Sequence, residues 1–536
     1  MLSVLVLMFS ATGLFAQAGG GSSYFIYALV GAAVLIFFYL ILQVSDNLLA
    51  IEAKQNGIED METNFSILPG IKDIFSAKLP DYTKGAPVKV LKRGHDILLE
   101  GEATKTVQEV QVSNYAVQPI NFRGIAPIPK MLVEEGATVK AGDPLFFDKS
   151  NPDIKFVAPV SGELIAINRG AKRAITEVVI LADKTIEYRE LPTFDLEKND
   201  RKALVDYLLG SGIWPLIRQR PYDCIPNPDD VPRDIFISTF DSAPLAPDLN
   251  FIIKGKEVAF QKGLDVLAKL TDGAVHLGLN ARGEEAPSTA FTQAENVKKY
   301  WYHGKHPAGN VGIQIHNSNP INAGDKVWVL GIQEVVTLGN IFLEKRFNAQ
   351  RTVALTGDEL QTPTYINTYL GANIGDLLKD NLKEGNNRLI SGDVLSGQQK
   401  ASEGYLNAFD DQITVAEEGD YFEMFGWLLP LAPRPSISNT FPNFLFPKLK
   451  FHADTNTHGE KRAFVITGQY EKVLPMDIYP QALMKSIIIG DFEKMEGLGI
   501  YELSEEDVAL CEFVCTSKQP LQHILREGLE MMQAQG

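Results

Sequence analysis

Three histidines fall within fourteen residues, His303, His306 and His316, beside Trp301 and Tyr302 and among Gly304, Gly309 and Gly312. Imidazole exchanges a proton near neutral pH and donates to or accepts from an oxygen. With Tyr302, the cluster suits a polar, aromatic lip for an amphipathic ligand such as a quinone, whose carbonyl a histidine can bond. The simpler expectation, and the preferred one, is a loop and edge strand with the histidines exposed. A second candidate is Lys149 in Asp148-Lys149-Ser150, the position of a swinging-arm lysine. Asn151-Pro152-Asp153 lengthens that turn and a Met-Lys-Met is missing, so a solvated loop lysine is preferred over a lipoylated or biotinylated one.

Other constellations point to packing. Cys511 and Cys515, four apart on one stripe with Val508, suit a helix core, because reduced cysteine behaves as a small hydrophobe. With Cys224 the chain has three thiols, too few by themselves for an ordinary iron-sulfur cluster. The strand expected at Ile235 to Phe240 is followed by Asp241 to Asp248 without a glycine to admit pyrophosphate, and no Gly-x-x-x-x-Gly-Lys-Ser/Thr occurs. No set is read as catalytic and none as a metal site. The excess of 67 Asp and Glu over 50 Lys and Arg, a net charge of -17, argues against a nucleic-acid partner, which needs a basic face.

The elements that must position these residues imply an α+β multidomain chain. Residues 1–18 read as a signal-like segment and 19–47 as a transmembrane helix with its flanks. Met1 to Val44 carries no Asp, Glu, Lys or Arg, and the 21 residues from Tyr24 to Val44 would span about 30 Å of hydrocarbon. The first basic residue, Lys54, follows the span, which favours a cytoplasmic C-terminal side. Residues 48–88 read as a tether. In 89–185, Glu135 to Leu145 and Ala158 to Leu164 form the two-half pattern of a biotinyl/lipoyl-like barrel-sandwich hybrid. Residues 186–346 alternate strand and helix as a Rossmann-like α/β domain. Paired strands at Thr352 to Gly357 and Thr364 to Leu370, with a helix after Asn373, suggest a β-grasp-like, soluble-ligand-binding domain over 347–435. Residues 436–536 form a C-terminal helical domain, with a stop at Gly490 and a capping box in Ser504-x-x-Asp507.

Several ordered blocks resemble one family. They are Gly124-Ile125-Ala126-Pro127, Phe156 to Gly162 with Ile167 to Gly170, His306-Pro307-Ala308-Gly309, Asn387 to Gly397, Gly468 to Ile478 and Glu505 to Cys515. From about Lys89 to Ala534 the chain resembles the A-subunit family of the Na+-translocating NADH:quinone reductase. The resemblance implies a non-redox subunit without a cofactor of its own, docked on integral-membrane and peripheral partners that carry the flavins, the iron-sulfur centre and the NADH site. Quinone is the implied ligand, and the bacterial inner membrane the implied location, with a single span and the large domain on the cytoplasmic side. The chain counts as an enzyme only as part of that translocase. The family's His-x-His is Gln314-Ile315-His316 here, residues 280–293 resemble a loop insertion, and the first 85 or so residues are an addition. The alternative is a membrane-anchored adaptor of a transport or secretion system, which also joins a span to a lipoyl-like domain. An autonomous NADH dehydrogenase is disfavoured because no flavin, nucleotide or cluster motif is visible.

Overall fold

The computed structural model describes residues 79–535, except 127, 424–425, 427–432, 439–442, 444–445 and 453, and in addition residues 30–34, 37, 38 and 41. The chain divides into two units, Met1–Lys78 and Leu79–Gly536. In the first, the described residues are helical and expose Val30, Val34, Phe37, Phe38 and Ile41. The rest of the expected span, the signal-like segment and most of the tether lie outside the described residues. Among the described residues no helix is long and apolar enough to cross a membrane.

The second unit opens with two strands that leave their sequence neighbours. Strand β1 (Val88–Val90) pairs in parallel with residues 301–303, and β2 (Thr104–Gln108) with residues 364–366. Both lie in or beside the stretch expected to build the hybrid, yet each forms the edge of a different sheet. The hybrid's own strands are β3 (Asn114–Val117), β4 (Lys130–Met131), β5 (Thr138–Val139), β6 (Pro144–Phe147), β7 (Lys155–Val157), β8 (Gly162–Arg169) and β9 (Ile175–Ala182). They make a four-stranded sheet, β3-β9-β8-β5, and a three-stranded one, β4-β6-β7. Along β8 the side chains alternate, with Leu164 buried and Glu163 and Ile165 exposed, as a half-buried strand requires. Phe146 and Phe156 stack at 4.7 Å in the core of Val139, Leu145, Val160, Leu164 and Val178.

The next domain is a twisted, mostly parallel sheet. Helix α1 (Arg201–Ser211), N-capped by Asp200, precedes β10 (Arg218–Arg220) and β11 (Asp234–Ser238). Helix α2 (Glu257–Ala268), β12 (Val275–Asn280), β13 (Lys298–His303), α3 (Val311–Ser318), β14 (Val327–Val329) and α4 (Ile332–Glu344) follow. The strand order is β1-β13-β12-β11-β14-β10, with only β10 antiparallel to its neighbour. Helices α2 and α4 touch through glycines. A β-carbon at Gly339 would sit 1.8 Å from the Ala259 carbonyl oxygen, and one at Gly263 would sit 2.2 Å from that of Val335. After β11 the chain builds β12 and β13 on one side and then returns to place β14 on the other, so the winding reverses between β11 and β14. Such reversals open a crevice at the carboxyl ends of the strands.

Strands β15 (Gln350–Thr356) and β16 (Thr364–Tyr369) form an antiparallel hairpin. Helix α5 (Ile374–Leu378), capped by Asn373, leads to β17 (Asn387–Ser391), β18 (Gln398–Lys400) and β19 (Gln412–Glu417), and β19 lies parallel to β15. The C-terminal helices are α6 (Pro480–Ile489), α7 (Glu505–Phe513) and α8 (Leu521–Gln535). Helix α6 ends at Gly490, whose φ of 69° is the left-handed conformation that glycine adopts without a steric penalty. Leu483, Ile487, Val508, Cys511, Leu521, Leu525 and Leu529 share one core.

Candidate functional site

At the winding reversal lies a cavity of about 220 Å³. Its floor is the end of β11 at Ser238 and the turn through Phe240 and Asp241. Its sides are the starts of α3 at Asn310 and α4 at Gly331. Neither start has a side-chain cap. Free amides at a helix N-terminus favour an anion, and the protein supplies anions itself. Asp393 and the pair Asp410 and Asp411 come from the β17–β19 region, and Glu506 from the first turn of α7. With Asp241 that makes five carboxylates, against Arg218 as the basic side chain in the wall.

Each carboxylate is anchored on one side. Asp393 accepts from the Leu395 and Ser396 amides at 2.6 and 3.2 Å, Asp410 from Ser391 Oγ at 2.6 Å, Asp411 from Arg351 at 2.8 Å and Asp241 from the Ala243 amide at 2.8 Å. The crowding has an electrostatic consequence. Removal from bulk water, followed by the charges of Asp393 and Glu506, pushes the Asp241 carboxyl up to about 6. Burial also pushes Asp411 up to about 6, Arg351 opposing and Glu334 assisting. A phosphate would enter against this field. The missing glycine fingerprint and the carboxylate wall therefore agree about nucleotides.

The four residues expected at a quinone site do not converge. The Tyr302 hydroxyl is buried and donates to the Gln314 carbonyl at 3.0 Å. His303 donates from Nδ1 to the Ala281 carbonyl at 2.8 Å. His316 holds Glu502 through Nδ1 at 2.7 Å and accepts the Asp477 amide on Nε2 at 3.0 Å, which ties α3 to the C-terminal helices. His306 differs. It is 3% exposed, its amide donates to Asp96 at 2.9 Å, and its Nδ1 lies 3.1 Å from Ser242 Oγ. Ser242 Oγ also accepts the Gly309 amide at 2.8 Å. His306 Nε2 is buried and has no hydrogen-bond partner among the described residues. Burial lowers the His306 pKa, and among the opposing charges Asp393 of the cavity wall is the largest.

The expectation of exposed histidines on a loop and edge strand is thereby corrected. His306 is buried, His303 and His316 are half-buried, and β13 is covered by β1 instead of forming the edge. Gln314 is also buried. Its amide donates to Ser238 Oγ at 2.8 Å and to the Ala308 carbonyl at 3.2 Å, fastening the His306 loop to the end of β11. Lys149 is exposed in the β6–β7 turn, where buried Asp148 accepts the amides of Ala126 and Ser150. Cys511 and Cys515 pack in the helical core as expected. Tyr470 donates to Cys515 Sγ at 2.8 Å, and burial raises the Cys511 thiol well above its usual range. Sequence reasoning missed the carboxylate wall, whose members come from segments far apart in the chain.

Beside the cavity sits a second ionic cluster that shares Glu506. Arg220, 2% exposed, faces Asp223 at 3.2 Å, Glu506 at 3.0 Å and Asp507 at 3.7 Å. Arg123 bridges Asp223 and Glu505 at 3.0 and 2.6 Å, while Arg218 and Arg526 add contacts at 3.6 and 3.4 Å. Four guanidinium groups thus meet four carboxylates. Burial works against the Asp223 charge, but Arg220, Arg218 and Arg123 outweigh it and hold the carboxyl well below its usual range. Burial and then Glu506 push Asp507 up to about 7 against Arg220.

A barrel-sandwich hybrid followed by a doubly wound α/β domain, with carboxylates where a phosphate loop would stand, defines the class of this protein. Family models match its parts in the same order. The NqrA N-terminal barrel-sandwich hybrid domain matches residues 89–183, the NqrA second alpha/beta domain 199–347, and the NQRA C-terminal domain 352–402. The A-subunit of the Na(+)-translocating NADH-quinone reductase from Alcanivorax borkumensis is 39% identical over 451 residues, covering 83% of this chain and 99% of its own. Those of Yersinia pestis bv. Antiqua and Saccharophagus degradans are each 38% identical, with the same coverage. The chain belongs to the NqrA family, the A-subunits of Na(+)-translocating NADH-quinone reductases. An NAD+-reducing [NiFe]-hydrogenase chain aligns over 65% of this chain at a TM-score of 0.32 and 12% identity, a likeness that carries no argument.

Proposed function

We propose that this chain is a non-redox, cytoplasm-facing subunit of a sodium-pumping NADH:quinone oxidoreductase, supporting its assembly and the access of quinone. The observation that carries this reading is the site at the winding reversal, where carboxylates occupy the nucleotide position and the charge of the wall's Asp393 reaches buried His306, whose Nε2 has no partner among the described residues. A buried ring nitrogen without a partner costs about 1–3 kcal/mol until one arrives, and in its Nε2–H tautomer it suits a quinone carbonyl. Tyr302, His303 and His316 then act as supports, since their polar atoms are already engaged. Flavins, the iron-sulfur centre and NADH belong to partner subunits on this reading. Lys149 is a solvated turn lysine. The adaptor alternative suits the fold poorly, because a turn over 148–154 joins the two halves of the hybrid where adaptors carry a long helical hairpin. The apolar residues from Tyr24 to Val44 form a single inner-membrane anchor, and the exposed Val30, Val34, Phe37, Phe38 and Ile41 support this. Deleting Met1 to Ser45 weakens retention on washed membranes more than it weakens folding.

The test is purification of the complex carrying His306→Gln. The expected result is an intact subunit set with the KM for quinone raised about tenfold, the equivalent of one lost hydrogen bond. An unchanged KM in the assembled variant removes His306 from the quinone path. Stoichiometric flavin on the isolated wild-type chain, or NADH oxidation by it, overturns the non-redox reading.

A further inference from the structure

A separate set of donors lies where the chain leaves the β-grasp-like domain. Asp358 and Glu359 follow β15, Glu417 ends β19, and His452 sits on an extended segment pinned from both sides. On one side the Phe451 amide donates to the Leu98 carbonyl at 2.9 Å, and the Glu100 amide to the Phe451 carbonyl at 3.0 Å. On the other the Thr455 amide donates to the Glu417 carbonyl at 3.1 Å. Backbone pairing therefore holds the main chain that carries these donors.

Their atoms lie close enough to converge on one ion. One ligand atom each from Asp358, Glu359 and His452 lies within 4.8 Å of the others. His452 Nδ1 meets the Asp358 carboxylate, and the other ring nitrogen, Nε2, lies 3.0 Å from Glu417 Oε2. A carboxylate on the far nitrogen of a metal-bound histidine is the usual outer partner, since it fixes the tautomer and raises the basicity of the ligating nitrogen. Three protein donors, one imidazole and two carboxylates, with a fourth position open to water, suit a borderline ion better than magnesium or calcium, which take oxygen ligands. Bonds of about 2.0–2.2 Å bring tetrahedral donors to about 3.4 Å from one another, so the side chains need to close by about 1 Å.

We propose that Asp358, Glu359 and His452, backed by Glu417, bind a divalent transition-metal ion of the zinc type, which clips the chain at Phe451 and His452 to the β-grasp-like domain.

The experiment uses the full-length chain in mild detergent, without a polyhistidine tag and stripped by chelator, titrated with Co2+. The expected result is one equivalent bound with a visible d–d band, displaced by Zn2+, and about tenfold weaker in Glu417→Gln at unchanged stoichiometry. His452→Ala abolishes the band. If that variant fails to fold, Glu359→Gln, at the rim, is expected to weaken binding in its place. No uptake by the wild type at equimolar loading, or wild-type affinity in both His452→Ala and Glu359→Gln, overturns the site.

Discussion

The arginine cluster and the switch-point cavity share Glu506 yet differ in their balance of charge. Around Arg220 every buried carboxylate has a guanidinium partner, and the balance joins the α/β domain to α7 and α8. In the cavity five carboxylates face one another with Arg218 as the basic wall residue, and Asp241 and Asp411 resist ionisation. Balance marks a joint, where removing one partner is costly. Imbalance marks a surface shaped by what it repels.

Mutations can break or sharpen that contrast. The largest effect is expected from Arg220→Met, which leaves Asp507 without its guanidinium and takes from Asp223 the largest of its counter-charges, with Arg123 and Arg218 remaining. The loss is about 3–5 kcal/mol, seen in denaturant unfolding and as early proteolysis between the α/β and helical domains. A loss below about 1 kcal/mol would mean that the cluster is not a joint. Ser504→Ala removes the hydroxyl half of the capping box whose other half, Asp507, faces Arg220, and it should cost about 1 kcal/mol. The smallest effect, of opposite sign, belongs to the cavity. Asp241 titrates near 6 in the folded chain, against about 3.9 for a free aspartate. Between those values the folded chain holds a proton that the unfolded chain has released, so this contribution grows as pH falls from 7 toward 4 and is lost above 6. Asp241→Asn should remove it. Melting temperatures at pH 5 and 8 will then differ less in the variant than in wild type, by a fraction of a kcal/mol, because Asp241 keeps an exposed surface although the cavity walls partly dehydrate its carboxyl. A variant destabilised at pH 8 would show Asp241 to be a joint residue after all.

What the sequence revealed was local. Gly490 and the Ser504 capping box mark helix ends through neighbours within four residues, and the two glycine-rich halves of the hybrid pack against each other. Asn373 was readable as a cap for the same reason. The failures concern distance along the chain. His306 looked like a loop residue because Ser242 and Asp96, which enclose it, lie 64 and 210 positions away. The cavity wall draws Asp241, Asp393 and Glu506 from three domains, and no window of sequence contains them together. Val88-Lys89-Val90 alternates as a strand does, but periodicity carries no information about which sheet receives it.

Those early strands also impose a schedule on synthesis. β1 waits for residues 301–303 and β2 for residues 364–366 before either finds a neighbour. At about 5–20 residues per second, the wait is on the order of ten to fifty seconds after each emerges from the ribosome. Two unpaired ribbons exposed for that long invite stray association, and each carries a lysine, Lys89 and Lys105, of the kind that keeps bare edges from sticking. Fusion tags or translational pauses that prolong this interval would act on yield before they touched any property of the finished protein.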